Sequence, residues 1–257
     1  MKMEAMNPSH IIRAVLFDLG GTLMYPRKNW APILERGYQA LTDSLCEQGF
    51  DMGCEDLAHL VRYHLDRYFA RRDKDLFETT YLVVLRDMLA EKGYLNVDTK
   101  VIRRALDAFY AYTQPNWTLE EDAMLMLRTL EAGGYRLGII SNAGDNQDVF
   151  QLVDKFRIEP FFDFILTSSA CSYRKPHPRI FELALAHWSI QPEEIAMVGD
   201  SLEADIAGAK PLGIYSIWIK RRAARTRTSL LVQPDAVIHT LHELPRLLSQ
   251  LSMENPK

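Results

Sequence analysis

The chain has 257 residues, of which 47% are hydrophobic and 25% are charged, and its formal net charge is −4 at pH 7. This composition is typical of a globular protein with a large buried core, and it excludes a disordered or fibrous chain. The mildly negative charge disfavours nucleic acid and anionic membranes as partners. No apolar run approaches the roughly 18 residues that a membrane-spanning helix requires.

Two further features of the sequence predict a cytoplasmic location. Residues 1–10 lack the apolar segment of a secretory signal. The three cysteines, Cys46, Cys54 and Cys171, lack metal-ligand spacing, and we expect them to be free thiols in a reducing compartment. The sequence does not indicate an oligomeric state.

The first predicted element is a strand at residues 11–17, which form an apolar run. Residues 29–112 then have helical periodicity almost throughout, and a helix cap is predicted at Asp98 or Thr99. A helical segment of this length between a strand and the rest of the chain indicates a separate insert. We therefore expect a helical cap at residues 25–113.

Five more strands are predicted after the insert, and they alternate with helical segments. They lie at residues 137–140, 164–167, 195–198, 215–219 and 236–238. Alternation of strands and helices indicates βαβ units and a mostly parallel sheet. The predicted fold class is therefore α/β, with an inserted all-helical cap domain.

Four loops with polar side chains each follow a predicted strand. In chain order they contain Asp18, then Ser141 and Asn142, then Lys175, and finally Asp200 and Asp205. Because ligands bind at the carboxyl ends of parallel strands, we expect these side chains to lie close together. Carboxylate oxygens suit Mg²⁺, a serine hydroxyl can bind a phosphoryl oxygen, and a lysine can offset developing negative charge.

The motifs and their order resemble those of the haloacid dehalogenase-like hydrolase superfamily, in its helical-cap type. The most specific part is Gly199-Asp200-Ser201 with Asp205, followed by Ala207-Gly208-Ala209 and Leu212-Gly213. The resemblance covers essentially the whole chain. It implies a Rossmann-like core at residues 11–24 and 114–250, with the cap at residues 25–113.

The resemblance also implies a Mg²⁺-dependent hydrolase of a small phosphorylated molecule, working through an aspartyl-phosphate. In this reading Asp18 is the nucleophile, and Lys175 neutralises charge on it. The residues implied to bind the phosphate are Ser141, Asn142 and Lys175. The metal ligands are Asp18, the backbone carbonyl of Gly20, Asp200 and, directly or in the outer contacts of the metal, Asp205.

One position departs from the family pattern. Phosphatases of the superfamily carry a second Asp at the position of Gly20, which protonates the leaving group and then activates water. Proton transfer of this kind contributes roughly 10²–10⁴ in rate. Without it, we expect slow turnover or a restriction to good leaving groups such as phenols and acyl phosphates.

Alternatives to this phosphatase remain open. One is a non-catalytic regulatory protein that binds phosphate and metal on the same fold. Another is a hydrolase of C–halogen bonds, or a hydrolase of C–P bonds that would use a Schiff base, for which Lys28 is the nearest candidate. Asp145 and His177 are candidates for the missing acid/base, although both positions are more typical of turns and helix starts.

Two stretches are interpreted as surface. Residues 25–30, which lead into the cap, are interpreted as a solvated linker, and so is the basic run at residues 220–227.

Overall fold

The structure, a computed structural model, describes residues 11–50, 52–223 and 232–253. Residues 1–10, on which the signal-peptide prediction rests, and residues 224–227 of the basic run lie outside the described residues. The described residues form a six-stranded sheet, a two-stranded sheet, helices on both faces of the larger sheet and a separate group of four helices.

All six predicted strands are present in one parallel sheet. They are β1 (Ala14–Phe17), β4 (Arg136–Ser141), β5 (Phe164–Thr167), β6 (Ile195–Gly199), β7 (Tyr215–Ile219) and β8 (Ala236–Ile238). The strand order is β5-β4-β1-β6-β7-β8. The chain builds one side of β1 first and then crosses to the other, so the order reverses at β1. Ligands bind at such a switch point in open α/β sheets. The six-stranded parallel sheet confirms the predicted α/β fold class.

Four helices fill the insert. They are α1 (Trp30–Cys46), α2 (Cys54–Asp75), α3 (Tyr81–Glu91) and α4 (Thr99–Thr113). Side chains of Asn29, Thr80 and Asp98 accept hydrogen bonds at the starts of α1, α3 and α4, which confirms the cap predicted at Asp98. The insert has its own buried cluster, which includes Leu41 and Leu106.

The chain enters and leaves the insert through two short strands that sequence analysis did not predict. β2 (Met24–Pro26) and β3 (Trp117–Leu119) pair antiparallel, with Tyr25 opposite Thr118. Strands of three residues carry no periodicity that distinguishes them from loops. Their pairing nevertheless joins the two connections of the insert at one place.

The remaining helices cover both faces of the large sheet. They are α5 (Ala123–Ala132), α6 (Asn146–Lys155), α7 (Ser168–Cys171), α8 (Pro178–Leu185), α9 (Ala207–Ala209) and α10 (Leu244–Met253). Val15 and Phe17 of β1 pack in one cluster with α5, α6 and α10, whereas Ala14 and Leu16 pack in another with α8. Burial on both faces explains why β1 is an unbroken apolar run.

The expectation that all three cysteines are free thiols is wrong for two of them. Cys46 and Cys54 form a disulfide, because α1 ends at Cys46, α2 begins at Cys54 and the two Cα atoms lie 5.7 Å apart. Cys171 is the free cysteine. Since disulfides are typical of oxidising compartments, the cytoplasmic location stays a prediction.

The start of the basic run is paired rather than simply solvated. Arg221 lies 2.7 Å from both Glu120 and Asp122, and Arg222 lies 2.8 Å from Glu120. Arg222 also covers the ring of Tyr25 at 3.7 Å. These two arginines therefore hold the start of the basic run against β2 and the residues that follow β3.

Within the described ranges, no helix is both long and apolar enough to cross a bilayer.

Candidate functional site

Five of the predicted site residues meet at the carboxyl edge of the large sheet. Asp18 follows β1, Ser141 ends β4 and Asp200 follows β6, so all three leave adjacent strands at the same edge. Lys175 reaches this edge from the loop before α8, and Asp205 reaches it from the helical turn behind Asp200. All five line one cavity of about 510 Å³. The topology thus brings together side chains that lie far apart in the sequence.

Lys175 is the buried cation of this site. Its Nζ donates hydrogen bonds to Asp18 Oδ1 at 2.7 Å and to the Ile140 carbonyl at 2.8 Å, and it lies 2.7 Å from Asp205 Oδ1. Burial alone would lower the pKa of Lys175, but the charges of Asp18 and Asp205 outweigh it and raise that pKa. The lysine is therefore charged at neutral pH.

Asn142 holds the lysine loop in place. Its Nδ2 donates to the Lys175 carbonyl at 2.9 Å, and its Oδ1 accepts from the Lys175 backbone N–H at 2.8 Å. Both ends of the amide are thus bound to the backbone beside the cation. A phosphate contact by this side chain stays a prediction.

Three carboxylates lie close together at the carboxyl ends of β1 and β6. One oxygen from each of Asp18, Asp200 and Asp205 lies within 4.8 Å of the others. Burial, followed by the charges of its two neighbours, raises the pKa of Asp200 to about 7. Burial raises the pKa of Asp205 to about 6 even though the Lys175 charge opposes it. Three crowded carboxylates with one ammonium leave negative charge to be offset.

The donor set fits a hard divalent cation. Three carboxylate oxygens within 4.8 Å of one another, with one ammonium beside them, are unfavourable unless a further cation offsets their charge. Mg²⁺ prefers such oxygen ligands and binds through one or two carboxylates together with substrate phosphate. The residues present therefore match the predicted metal.

The surroundings of the turn after Asp18 show which group borders the position of the family's second Asp. Gly21 has φ +92°, and a Cβ there would collide with the Asp200 carboxylate. A Cβ at Gly20 would lie 3.1 Å from Cη2 of Trp117. The indole ring of Trp117 thus borders the space that an aspartate at position 20 would enter.

The model of the haloacid dehalogenase-like hydrolase family matches residues 12–213. The chain belongs to this family. It is a haloacid dehalogenase-like hydrolase, as the motif order predicts.

Several proteins of known name are similar to this hydrolase. A glyceraldehyde 3-phosphate phosphatase from Pyrococcus furiosus is 26% identical over 95% of both chains. A ribulose-1,5-bisphosphate 5-phosphatase from Halopiger xanaduensis is 29% identical, over 92% of this chain and 99% of that protein. The crystal structure of a 2-haloacid dehalogenase from Pseudomonas syringae pv. Tomato DC3000 superposes with a TM-score of 0.67, at 25% identity, over 93% of this chain and 99% of the other.

The candidates for a replacement acid/base are engaged in local structure. Asp145 accepts from the Gln147 N–H at 3.0 Å at the start of α6, and it lies 2.7 Å from Arg103. His177 Nδ1 accepts from the Arg179 N–H at 3.1 Å at the start of α8. Both therefore act as helix caps.

The insert and β3 contribute side chains to the cavity that sequence reasoning missed. They include Trp30, Arg72, Tyr81 and Phe109 of the insert and Trp117 of β3. The linker interpretation is wrong for Trp30, whereas Lys28 is exposed and lies outside the cavity. An aromatic residue at the entrance of the insert was the available signal for Trp30. Trp117 had none, because its position depends on the pairing of β2 with β3.

Proposed function

We propose that this hydrolase cleaves phosphomonoesters of small molecules in a Mg²⁺-dependent reaction through an aspartyl-phosphate on Asp18. One observation carries the proposal. Asp18 Oδ1 accepts a hydrogen bond from Lys175, while Oδ2 has no hydrogen-bond partner among the described residues. A carboxylate oriented through one oxygen keeps the other available to attack phosphorus.

In the first step, Asp18 attacks the phosphorus and the ester oxygen leaves with its electron pair. Lys175 fixes the attacking carboxylate and offsets negative charge on the transferring group. Ser141, which is buried at the end of β4 and lines the cavity, orients a phosphoryl oxygen by donating a hydrogen bond. Water then hydrolyses the aspartyl-phosphate and restores Asp18.

The metal would be held by Asp18, Asp200 and the Gly20 carbonyl, with Asp205 as a further ligand or an outer contact. Mg²⁺ supplies charge stabilisation for the phosphoryl oxygens when it is bound. Asp205 also has a function of its own, because its contacts with Lys175 and with the Ser201 N–H tie the lysine to the turn that carries Asp200.

The names of two relatives support the proposed substrate class. The two named above are phosphatases of glyceraldehyde 3-phosphate and of ribulose-1,5-bisphosphate. Their similarity over nearly the whole chain supports a small phosphorylated molecule as the substrate here.

We also propose that residues 25–113 form a cap that covers the site. The insert has a buried cluster separate from those of the sheet. Its residues Trp30, Arg72 and Phe109 line the same cavity as Asp18 and Lys175. A cap placed there excludes water and contacts the part of the substrate that leaves.

Replacement of Asp18 by Asn tests the mechanism. We expect D18N to lose Mg²⁺-dependent release of phosphate from p-nitrophenyl phosphate, and to lose the mass increase of a trapped phosphoryl group. The control is D87N, since Asp87 lies on α3 with a side chain that is 64% exposed. Wild-type turnover in D18N would show that Asp18 is not the nucleophile.

A second candidate function is hydrolysis of a C–halogen bond. It is favoured by the superposition on a 2-haloacid dehalogenase and by Gly20, because a halide leaves as an anion and needs no acid. Release of chloride from 2-chloropropionate, with no phosphate released from p-nitrophenyl phosphate, would replace the phosphatase proposal. Binding of Mg²⁺ and phosphate without either reaction would instead indicate a regulatory protein.

A further inference from the structure

The side of the cavity next to Gly20 is a hydrocarbon surface. Cη2 and Cζ3 of Trp117 lie 3.1 and 3.6 Å from the position of a Cβ on Gly20. These atoms form the edge of the six-membered ring of the indole and carry no exchangeable proton. A leaving oxygen on this side of Asp18 therefore faces carbon atoms of the Trp117 ring, which cannot protonate it. The carboxyl group of an aspartate at position 20 would have done so.

A second indole extends this surface. The rings of Trp30 and Trp117 pack edge to face, with centroids 5.1 Å apart and an interplanar angle of 64°. Both line the cavity, and the apolar side chains of Met24, Leu34 and Phe109 line it with them. Flat aromatic side chains in this arrangement favour a planar aromatic ligand, which they can contact face to face or edge to face.

We propose that the leaving group of the substrate is a planar aromatic alcohol, bound against Trp117 and Trp30, so that the enzyme cleaves small aryl phosphates. This inference rests on the proposed function. It specifies the half of the substrate that the phosphate-binding residues do not contact.

The chemistry of the leaving group agrees with this surface. Asp18 Oδ2 forms a bond to phosphorus, the bond from phosphorus to the aryl oxygen breaks, and the electron pair leaves with that oxygen as a phenolate. A phenol has a pKa of about 10, whereas the pKa of an aliphatic alcohol is far higher and close to that of water. The phenolate can thus depart before it takes a proton from solvent. Water then cleaves the aspartyl-phosphate to give inorganic phosphate.

Three substrates separate leaving-group strength from aromatic recognition. Phenyl phosphate has both properties, acetyl phosphate has only the good leaving group, and n-hexyl phosphate has neither. For the wild-type enzyme with Mg²⁺, we expect kcat/KM for phenyl phosphate to exceed that for n-hexyl phosphate by roughly 100-fold or more. Since acetate is a better leaving group than phenolate, we expect phenyl phosphate to match or exceed the kcat/KM of acetyl phosphate only through contact with the indoles.

The variant W117L tests the aromatic contact. We expect the ratio of kcat/KM for phenyl over acetyl phosphate to fall about tenfold from its wild-type value, since leucine keeps an apolar surface without the flat ring. The control is Y63L, because Tyr63 is a 56% exposed aromatic residue on α2 that does not line the cavity. Its substrate ratio should equal that of the wild type.

A binding measurement does not depend on the folding of W117L. D18N should bind phenylphosphonate about tenfold more tightly than methylphosphonate by calorimetry. Equal binding of the two, or acetyl phosphate as the better wild-type substrate with no change of ratio in W117L, would overturn the aryl inference and leave the phosphatase intact. No Mg²⁺-dependent hydrolysis of any of the three substrates would overturn the proposed function itself.

Discussion

Gly20 and Trp117 together determine what a substitution at position 20 can achieve. An aspartate side chain there begins 3.1 Å from Trp117 Cη2, which is closer than a comfortable carbon–carbon contact. The side chain can therefore enter only if the ring moves. Overpacking of this kind destabilises a protein by about 1–3 kcal/mol.

We expect G20D alone to be less stable and to gain no activity towards n-hexyl phosphate. The double variant G20D/W117L removes the ring and should gain at least roughly tenfold in kcat/KM for that substrate, since an acid then reaches the leaving oxygen. Steady-state kinetics and thermal unfolding of both variants measure this. Equal rates for the two would mean that Trp117 does not restrict position 20.

The charge of Asp148 opposes folding. The residue lies on α6 at the cavity, and burial raises its pKa to about 6 even though a hydrogen bond from Gln114 at 2.9 Å acts in the opposite direction. An unfolded aspartate has a pKa of about 4. The folded chain therefore binds the extra proton between about pH 4 and 6, so that its stability falls as the pH rises through that window.

We expect D148N to unfold at the same urea concentration as the wild type at pH 4, and to be more stable by about 1–2 kcal/mol at pH 8, after allowance for partial exposure. The amide of this variant keeps an oxygen that can accept from Gln114. D154N is the control, since Asp154 is exposed on the same helix. A difference that does not change with pH would contradict the assignment.

Among the elements, the segment between α2 and α3 joins the insert to the sheet. Glu78 lies in this segment with a fully buried side chain, and it accepts hydrogen bonds from Tyr68, Ser168 and Arg174. Its backbone N–H also donates to the Ser172 carbonyl at 3.0 Å. One carboxylate thus connects α2 to α7 and to the loop that carries Lys175.

We expect E78Q to lower the free energy of unfolding by about 3–5 kcal/mol, because it leaves the buried Arg174 charge without its counter-charge. E182Q is a matched control, since the Arg179–Glu182 pair at 3.1 Å is on the surface and contributes about 0–1 kcal/mol. Urea unfolding of both variants checks this. Similar small losses in the two would show that the Glu78 contacts do not support the fold.

The elements that could be predicted from the sequence are those with a repeated pattern. β1 and β6 are unbroken apolar runs because they are buried on both faces, and α4 shows the period of a helix with one buried face. β2 and β3 could not be predicted, since each is too short to have a pattern and exists through its partner. The Cys46–Cys54 pair likewise depends on how two helices meet.

The same distinction holds for the site. Asp18 and Asp200 each follow a recognisable strand, and Lys175 precedes a recognisable helix. The ends of these elements therefore predict where the three side chains lie. The position of the Trp117 ring beside Gly20 and the buried pairing of Glu78 with Arg174 bring together residues from separate parts of the chain. Such contacts arise from tertiary packing, which leaves no local signature.

At the scale of the whole molecule, the three carboxylates couple metal binding to stability. Protonated Asp200 is a poor ligand, and its pKa is raised to about 7 in the metal-free protein. Mg²⁺ should therefore bind more tightly as the pH rises towards and past 7.

We expect Mg²⁺ at about 100 times its Kd to stabilise the protein by about 2.7 kcal/mol, with a larger shift of Tm at pH 8 than at pH 6. D200N should lose most of this shift, whereas D66N, a change at a side chain that is 67% exposed on α2, should retain it. Differential scanning fluorimetry with and without Mg²⁺ measures the effect. An unchanged shift in D200N would exclude Asp200 as a ligand.

The pairing of β2 with β3 has a mechanical consequence. These strands are the two covalent connections between the helices of the insert and the sheet, and β3 carries the Trp117 ring, which borders the space that a side chain at position 20 would enter. A rotation of the insert about this ribbon moves Trp117 relative to the turn after Asp18. If the insert moves to release product, we expect the leaving-group pocket to change shape in the same movement, so that a change that stiffens the ribbon should alter both.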